Sequence, residues 1–481
     1  MEPEKMYING NWTDSHSGKI LTVINPYNGD TVGSVPDAEK AEISQAVDAA
    51  QDAFISWSAL PARTRAGYLK QWHAFMMEEE EAIARMLTLE QGKPLSEAKR
   101  EVVAAAHFLE WYAEEAVRIY GETIPASTVD KRMTVIRQPV GVVGAITPWN
   151  FPASMVARKI APALAAGCTV ILKPASQTPL TAVKMIRLAH KAGIPKGVVN
   201  LVTGSSQMIG AVFMADQRVR KITFTGSTEV GKTLMRQSAD TLKRVSLELG
   251  GHAPYLVFDD ADVNSAVKGV LQAKLRNSGQ MCVAGNRFYV QEKIYDAFVT
   301  KLREQLRKLK SGNGMEPGTD LGPLIDEDAF NKVNAHVEDA RNKGAGLLCG
   351  GKSRHEGDHK DAGYFFDPTL LTNVTDEMKI MQEETFGPVM AIRRFEKEEE
   401  VLRMANDTNY GLAAYVYTES ISRGIRVAEQ LQFGVVGLND GGPSAVQAPF
   451  GGFKDSGLGR EGGSQGLDAF LEIKLISIGL G

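Results

Sequence analysis

Three residues carry the reactive chemistry legible in this chain. Cys282 stands in Arg276-Asn277-Ser278-Gly279-Gln280-Met281-Cys282, a segment too rich in Gly, Gln and Asn for a simple core strand. A thiolate there is a strong nucleophile, provided that a helix start or nearby cations lower the thiol from its free pKa of ~8.5. Cys168 and Cys349 lie in apolar or Gly-flanked runs and read as packing residues. Glu248 follows Val245-Ser246-Leu247 and precedes Leu249-Gly250-Gly251. It is either surface alternation or a buried general base, and the diglycine behind it permits close backbone approach. Asn150 lies in Thr147-Pro148-Trp149-Asn150-Phe151-Pro152. Two prolines and two aromatics stiffen that turn, and its amide can donate to a developing oxyanion.

The elements that must position these residues show in the hydrophobic pattern. Residues 1 to about 35 read as short strands and turns, with hairpin chemistry at Asn9-Gly10 and Asn28-Gly29. From about Ala38 to Tyr120 apolar residues recur at helical spacing. Beyond Met133 short apolar runs alternate with helical stretches: Val142 to Ile146, Thr169 to Leu172, Val198 to Val202, Ile222 to Phe224 and Val245 to Leu247. A second series begins near Tyr255 and continues through Arg287 to Val290, Tyr364 to Leu371, Val389 to Arg394, Ala413 to Tyr417 and Val435 to Leu438, with a helix from Tyr295 to Leu309. Strand and helix alternating this often predict two α/β units, each a parallel sheet covered on both faces.

Composition narrows the class. The 481 residues are 43% hydrophobic and 23% charged, with a net charge of −4 and no basic block. No nucleic-acid or polybasic membrane surface is expected. Three widely spaced cysteines exclude a disulfide framework and a Cys-rich zinc site, and no metal is expected. The first residues, Met1 to Lys5, are acidic and lack an apolar signal core, and no apolar run is long enough to span a bilayer. A cytoplasmic enzyme is the expectation.

A competing pattern must be weighed. Gly226-Ser-Thr-Glu-Val-Gly231-Lys232-Thr233 matches the phosphate-loop motif, follows a strand and opens a helix. Asp259-Asp260 could then pass for its magnesium-holding strand. Against a nucleotide triphosphatase, Glu229 would place a carboxylate inside the polyphosphate cradle, and only about 30 residues separate the two elements. A Gly-rich helix start still suits some phosphate.

Taken together, Asn150, Glu248 and Cys282 resemble the aldehyde dehydrogenase superfamily. Pro148 to Pro152, Leu172-Lys173-Pro174, Phe224 to Ser227, Glu248 to Gly251, Glu383-Glu384-Thr385-Phe386-Gly387-Pro388, Pro449 to Gly452 and Lys454 to Glu461 follow in the family's order. The likeness covers almost the whole chain and absorbs the phosphate-loop match. It implies that Cys282 attacks the aldehyde, that the Asn150 amide and the Cys282 N–H hold the oxyanion, and that Glu248 activates the water that releases the acid. Glu248 also argues against acyl transfer to coenzyme A. A non-catalytic relative would lack the nucleophile or the base, and both are present.

The resemblance further implies a nicotinamide dinucleotide, NAD or NADP. Trp149 and Lys173 would line its ribose and adenine side, Gly226 and Ser227 would meet its pyrophosphate, Glu384 and Phe386 would hold its nicotinamide end, and Leu249 is a further cofactor-binding position. Ser176 stands where NAD-preferring relatives usually carry glutamate; serine removes the repulsion of a 2′-phosphate and leaves Lys173 free to pair with one. Acceptance of NADP is expected beside use of NAD.

For the substrate, Arg158, Arg276 and Ser444 match the anion-binding positions of succinate-semialdehyde dehydrogenases, and a guanidinium fork suits a carboxylate. Ala284 replaces the second cysteine that some members use for disulfide control, which excludes that switch here. Gly441-Gly442-Pro443 replaces bulky apolar residues, so the pocket could also take glutarate semialdehyde or a sulfonated lactaldehyde. The implied architecture is two doubly wound α/β domains with a small β extension. The cofactor-binding domain would comprise 1–121 and 137–247, the catalytic domain 248–440, and the extension 122–136 and 455–481. The apolar tail Leu475 to Leu480 would aggregate as a bare edge, so a homodimer or homotetramer is expected.

Overall fold

The computed structural model describes residues 3–351 and 363–480. Met1 and Glu2 of the expected cofactor-binding domain, residues 352–362 of the expected catalytic domain and Gly481 of the extension therefore lie outside the described residues.

The amino-terminal strands Met6–Ile8 and Asn11–Thr13 pair through Asn9 and Gly10, both at positive φ, and Ile20–Ile24 pairs with Thr31–Pro36. Four helices follow from Lys40 to Glu115. The first large sheet has eight strands. Five are parallel: Val199–Leu201, Thr169–Lys173, Val142–Ile146, Val219–Thr225 and Arg244–Glu248 lie side by side in that order. Their carboxyl ends bear Ile146, Lys173, Thr225 and Glu248, so the turns that follow carry Asn150, Ser176, Ser227 and Leu249 to one edge. Open parallel sheets bind ligands at that edge.

The second sheet has seven strands. Thr369–Thr372, Val389–Phe395, Gly285–Gln291, Ala253–Val257, Ala413–Tyr417 and Val435–Leu438 are parallel, and Gly346–Cys349 joins antiparallel at the edge. The expected strand from Tyr364 is shorter than predicted: it begins at Thr369. Pro368 has no N–H to give a ladder, and the Tyr364 carbonyl accepts from Leu324 instead. Both sheets are packed on both faces by buried aliphatic and aromatic residues.

Lys131–Pro139 pairs along its whole length with Leu471–Gly479, and Glu122–Ile124 completes this third sheet. The strand thus runs three residues past 136. Residues 455–470 are not part of it: Gly457–Leu458 adds an antiparallel edge to Leu247 and Glu248, and Gln465–Asp468 packs on the helix Ser154–Ala166. Among the described residues no helix is long and apolar enough to cross a membrane.

Candidate active site

A cavity of about 460 Å³ opens where the two sheets meet, lined by Trp149, Asn150, Gly226, Ser227, Leu249, Cys282, Glu384 and Phe386 among others. Eight residues singled out by sequence thus share one wall. Phe386 holds a positive φ of 58° and meets Trp149 edge-on, with centroids 5.6 Å apart. A bulky residue in that backbone region is strained, and such strain concentrates at functional sites.

Cys282 follows a tight turn in which Asn277, Ser278 and Gly279 all have positive φ. Burial and then the Glu384 carboxylate push its thiol up to about 12. Cys282 therefore rests as a neutral thiol. Asn150 is buried; its Nδ2 donates to the Gln280 carbonyl at 3.0 Å, and its Oδ1 has no partner. One N–H of that amide is left for another acceptor. Its own carbonyl accepts from Lys93 Nζ at 2.7 Å and from Asn277 Nδ2 at 3.0 Å.

Glu248 ends its strand 3% exposed, with Oε2 unpartnered. A Cβ on Gly451 would lie 2.9 Å from Glu248 Oε1, so only glycine leaves the carboxylate its space. Burial, then the Glu461 carboxylate, raises the Glu248 pKa well above the usual range, while Arg158 and Lys159 oppose the rise. A carboxyl held protonated until a partner takes its proton suits a general base that works near neutral pH.

Lys173 ends the strand Thr169–Lys173, outside the lining of that cavity; it is buried, and among the described residues its Nζ bonds only the Ser206 hydroxyl, at 2.6 Å. Burial lowers its pKa to about 8. Ser176 donates to the Gly204 carbonyl at 3.4 Å. Ser227 caps the helix Thr228–Ser238 by accepting from Val230 N, which leaves a helix start facing the cavity. Glu384 Oε1 accepts from Gly251 N at 3.0 Å, and burial raises its pKa to about 7.

Arg158 is buried between Phe450 and Phe108, its guanidinium carbon 4.2 and 5.2 Å from their centroids. Its Nε lies 3.8 Å from Glu461 and makes no hydrogen bond. Arg276 and Ser444 are exposed and line none of the cavity above.

The triphosphatase reading loses its residues one by one. Lys232 Nζ pairs with Asp455 at 2.6 Å, and the Thr233 hydroxyl donates to the Glu229 carbonyl. Asp259 and Asp260 face Arg423 in the other unit.

Lys93, Glu101, Asn277, Lys159, Glu461 and Ser206 escaped the sequence reading as functional candidates. One signal was available. Arg158 and Lys159 are the only charged residues of the helix Ser154–Ala166, otherwise apolar but for its first serine, and a cation inside such a helix is buried only when paired.

The signature of the aldehyde dehydrogenase family matches residues 12–476. The chain is 52% identical to the NADP(+) succinate-semialdehyde dehydrogenase of Escherichia coli (strain K12), over 99% of this chain and 98% of that one. It is also 52% identical to the glutarate-semialdehyde dehydrogenase of Pseudomonas putida KT2440, with the same coverage. A crystal structure of an E. coli NADP-dependent enzyme superposes with a TM-score of 0.97 at 52% identity, covering 99% and 98% of the two chains. The family signature over residues 12–476 and 52% identity along 99% of the chain identify it as a member of the aldehyde dehydrogenase family.

Proposed function

We propose that the protein oxidises a short aldehyde bearing an anionic group, succinate semialdehyde to succinate foremost, with NADP+ or NAD+. The observation that carries the substrate class is Arg158: a buried guanidinium whose charge reaches Cys282 and whose Nε has no acceptor. A buried donor left unpaired is costly, and a substrate carboxylate supplies the acceptor. Arg276 and the Ser444 hydroxyl would complete the clamp. The names of the relatives, which act on semialdehydes with a terminal carboxylate, support the same class.

The residues of the cleft fit a dinucleotide. Ser227 and Gly226 offer a helix start to its pyrophosphate, Leu249 an apolar wall, and Lys173 and Ser206 a cation and a hydroxyl to its adenine ribose. No carboxylate opposes a 2′-phosphate at Ser176, which supports NADP. When bound, the dinucleotide supplies the hydride acceptor. The Cys282 thiol gives its proton to ionised Glu248, which passes it on to solvent, and the thiolate attacks the aldehyde carbon; the resulting oxyanion accepts from the free Asn150 N–H and the Cys282 backbone N–H. After oxidation the thioester carbon is attacked by water; Glu248 takes the water's proton, and the thiolate leaves as the carboxylic acid forms.

A five-carbon substrate is the second reading. The 52% identity to a glutarate-semialdehyde dehydrogenase, equal to that with the succinate-semialdehyde relative, supports it. The deciding test is initial rates with succinate semialdehyde, NADP+ against NAD+, on the wild type, Arg158→Ala and Arg276→Ala. Loss of most of kcat/KM in both variants supports the clamp. Unaffected variants overturn it, and glutarate semialdehyde and sulfonated aldehydes are then compared.

We also assign the first sheet and its helices to cofactor binding, the second to the nucleophile, and the third to assembly of a homodimer or homotetramer in the cytoplasm. Ile473, Leu475 and Ile478 are exposed on the Leu471–Gly479 strand, and another copy would cover them. Light scattering on Leu475→Asp, compared with the wild type, tests the assembly: an unchanged mass rules that strand out.

A further inference from the structure

We propose that Lys93 is a positioning residue of the oxidation site: its ammonium clamps the Asn150 carbonyl and so aims the Asn150 amide at the oxyanion. The inference rests on the oxyanion role proposed for Asn150.

The placement begins in the backbone. The helix Glu80–Gln91 ends at Gly92, whose φ of 93° turns the chain into the protein; a Cβ there would lie 2.8 Å from Pro323 and 2.9 Å from Pro26. Lys93 follows, 2% exposed, just before Pro94 opens the next helix, Leu95–Glu115. Its Nζ sits 2.7 Å from Asn150 O, 2.6 Å from Glu101 Oε2 and 4.0 Å above the Phe151 ring. The other oxygen of Glu101 accepts from Ala153 N at 2.9 Å and Ser154 N at 3.2 Å. Lys93 and Glu101 thus grip the 150–154 turn at both ends.

That turn needs gripping. Residues 147–153 form neither helix nor strand, so no ladder of backbone bonds holds Asn150. Asn277 adds a second donor to the same carbonyl at 3.0 Å, and is itself held by Gln91 Nε2 at 2.9 Å. Gln91, Lys93 and Asn277 therefore lock the peptide from which the catalytic amide projects. The ion pair is a poor device for stability, because apolar residues of equal volume often serve a core as well or better. Position is what it supplies: a donor displaced by about 1 Å can cost a hundredfold in rate.

The test is a double-mutant cycle. Lys93→Met is measured in the wild-type and Asn150→Ala backgrounds, with kcat and KM for succinate semialdehyde and the Kd of NADP+ by fluorescence titration. The expected result is a fall in kcat of about tenfold to a hundredfold in the wild-type background. In the Asn150→Ala background the fall is less than about twofold, and the Kd is unchanged. If Lys93→Met folds poorly, Lys93→Met with Glu101→Gln leaves no buried charge and is read by the same criteria. Equal losses in both backgrounds, or no loss in the wild type, overturn the proposal. Full activity in Asn150→Ala alone instead overturns the role proposed for Asn150.

Discussion

Lys159 Nζ lies 2.6 Å from Glu461 Oε1, and the two side chains bear on Glu248 with opposite sign: the Glu461 carboxylate raises its pKa and the Lys159 ammonium lowers it. The base proposed at Glu248 acts only when ionised, so kcat should climb with pH through a point well above the ordinary carboxylate range. Glu461→Gln removes the repulsive charge and moves that acid limb down by ~1 pH unit; Lys159→Met moves it up by a similar amount. Steady-state pH profiles of the three proteins check this, and limbs that coincide would refute the coupling.

The thiol of Cys282 gives a second pH prediction. Glu384 is the largest charge effect raising it, and Glu384 itself titrates at about 7. Below that pH the wild-type Glu384 is neutral and behaves like glutamine. Alkylation of the free enzyme by iodoacetamide should therefore be faster in Glu384→Gln than in the wild type at pH 8.5, and equal in both at pH 6.

The cofactor contact proposed for Lys173 gives a third prediction, since burial lowers its pKa to about 8. Its cation is present below that pH and fades above it. The affinity for NADP+ should decline as pH rises past 8, while that for NAD+ stays level. Ser176→Glu should lower kcat/KM with NADP+ by about tenfold to a hundredfold and spare NAD+, since a carboxylate faces the phosphate.

Glu90 offers a stability prediction away from the chemistry. It is fully buried and accepts from Leu180 N at 2.7 Å and Thr181 N at 2.8 Å, at the start of the helix Pro179–Lys191. Burial raises its pKa from 4.5 to about 8. The native state then holds a proton that the unfolded chain releases, so stability falls as pH rises from about 4.5 to 8. Glu90→Gln abolishes that contribution. Its Tm should drop less between pH 5 and pH 8 than the wild-type Tm, as read by calorimetry.

What was legible in the residues divides by range. The parallel strands stood out as short, mostly apolar runs between helical stretches, although Lys221, Asn286 and Arg287 are buried within them, and the turns after them fall at one sheet edge. Cys282, Glu248 and Asn150 stood out because their neighbours are odd for a core: glycines, prolines and amides beside a reactive group. Lys93 and Glu461 did not, because a buried charge is intelligible only through its partner. Lys159 and Glu461 are 302 positions apart, and Asn277 lies 127 from the carbonyl it holds. Arg158 shows the intermediate case: its type pointed to an anion, but its place between two phenylalanines needed the fold.

The short edge strand Gly457–Leu458 has a consequence for how the molecule is made. Ser456 accepts from Leu249 N through its carbonyl and from Gly411 N through its hydroxyl, which also donates to Gly250 O. Five residues further on, Glu461 reaches Lys159. Every other part of the centre is translated before this stretch. A nascent chain halted ahead of it can form the nucleophile turn and most of the cofactor sheet, yet the base lacks both its edge strand and its charged neighbour. Completing the surroundings of Glu248 thus requires about the last twentieth of the 481 residues, and a chain truncated at 455 is expected to lack turnover, which a rate assay checks.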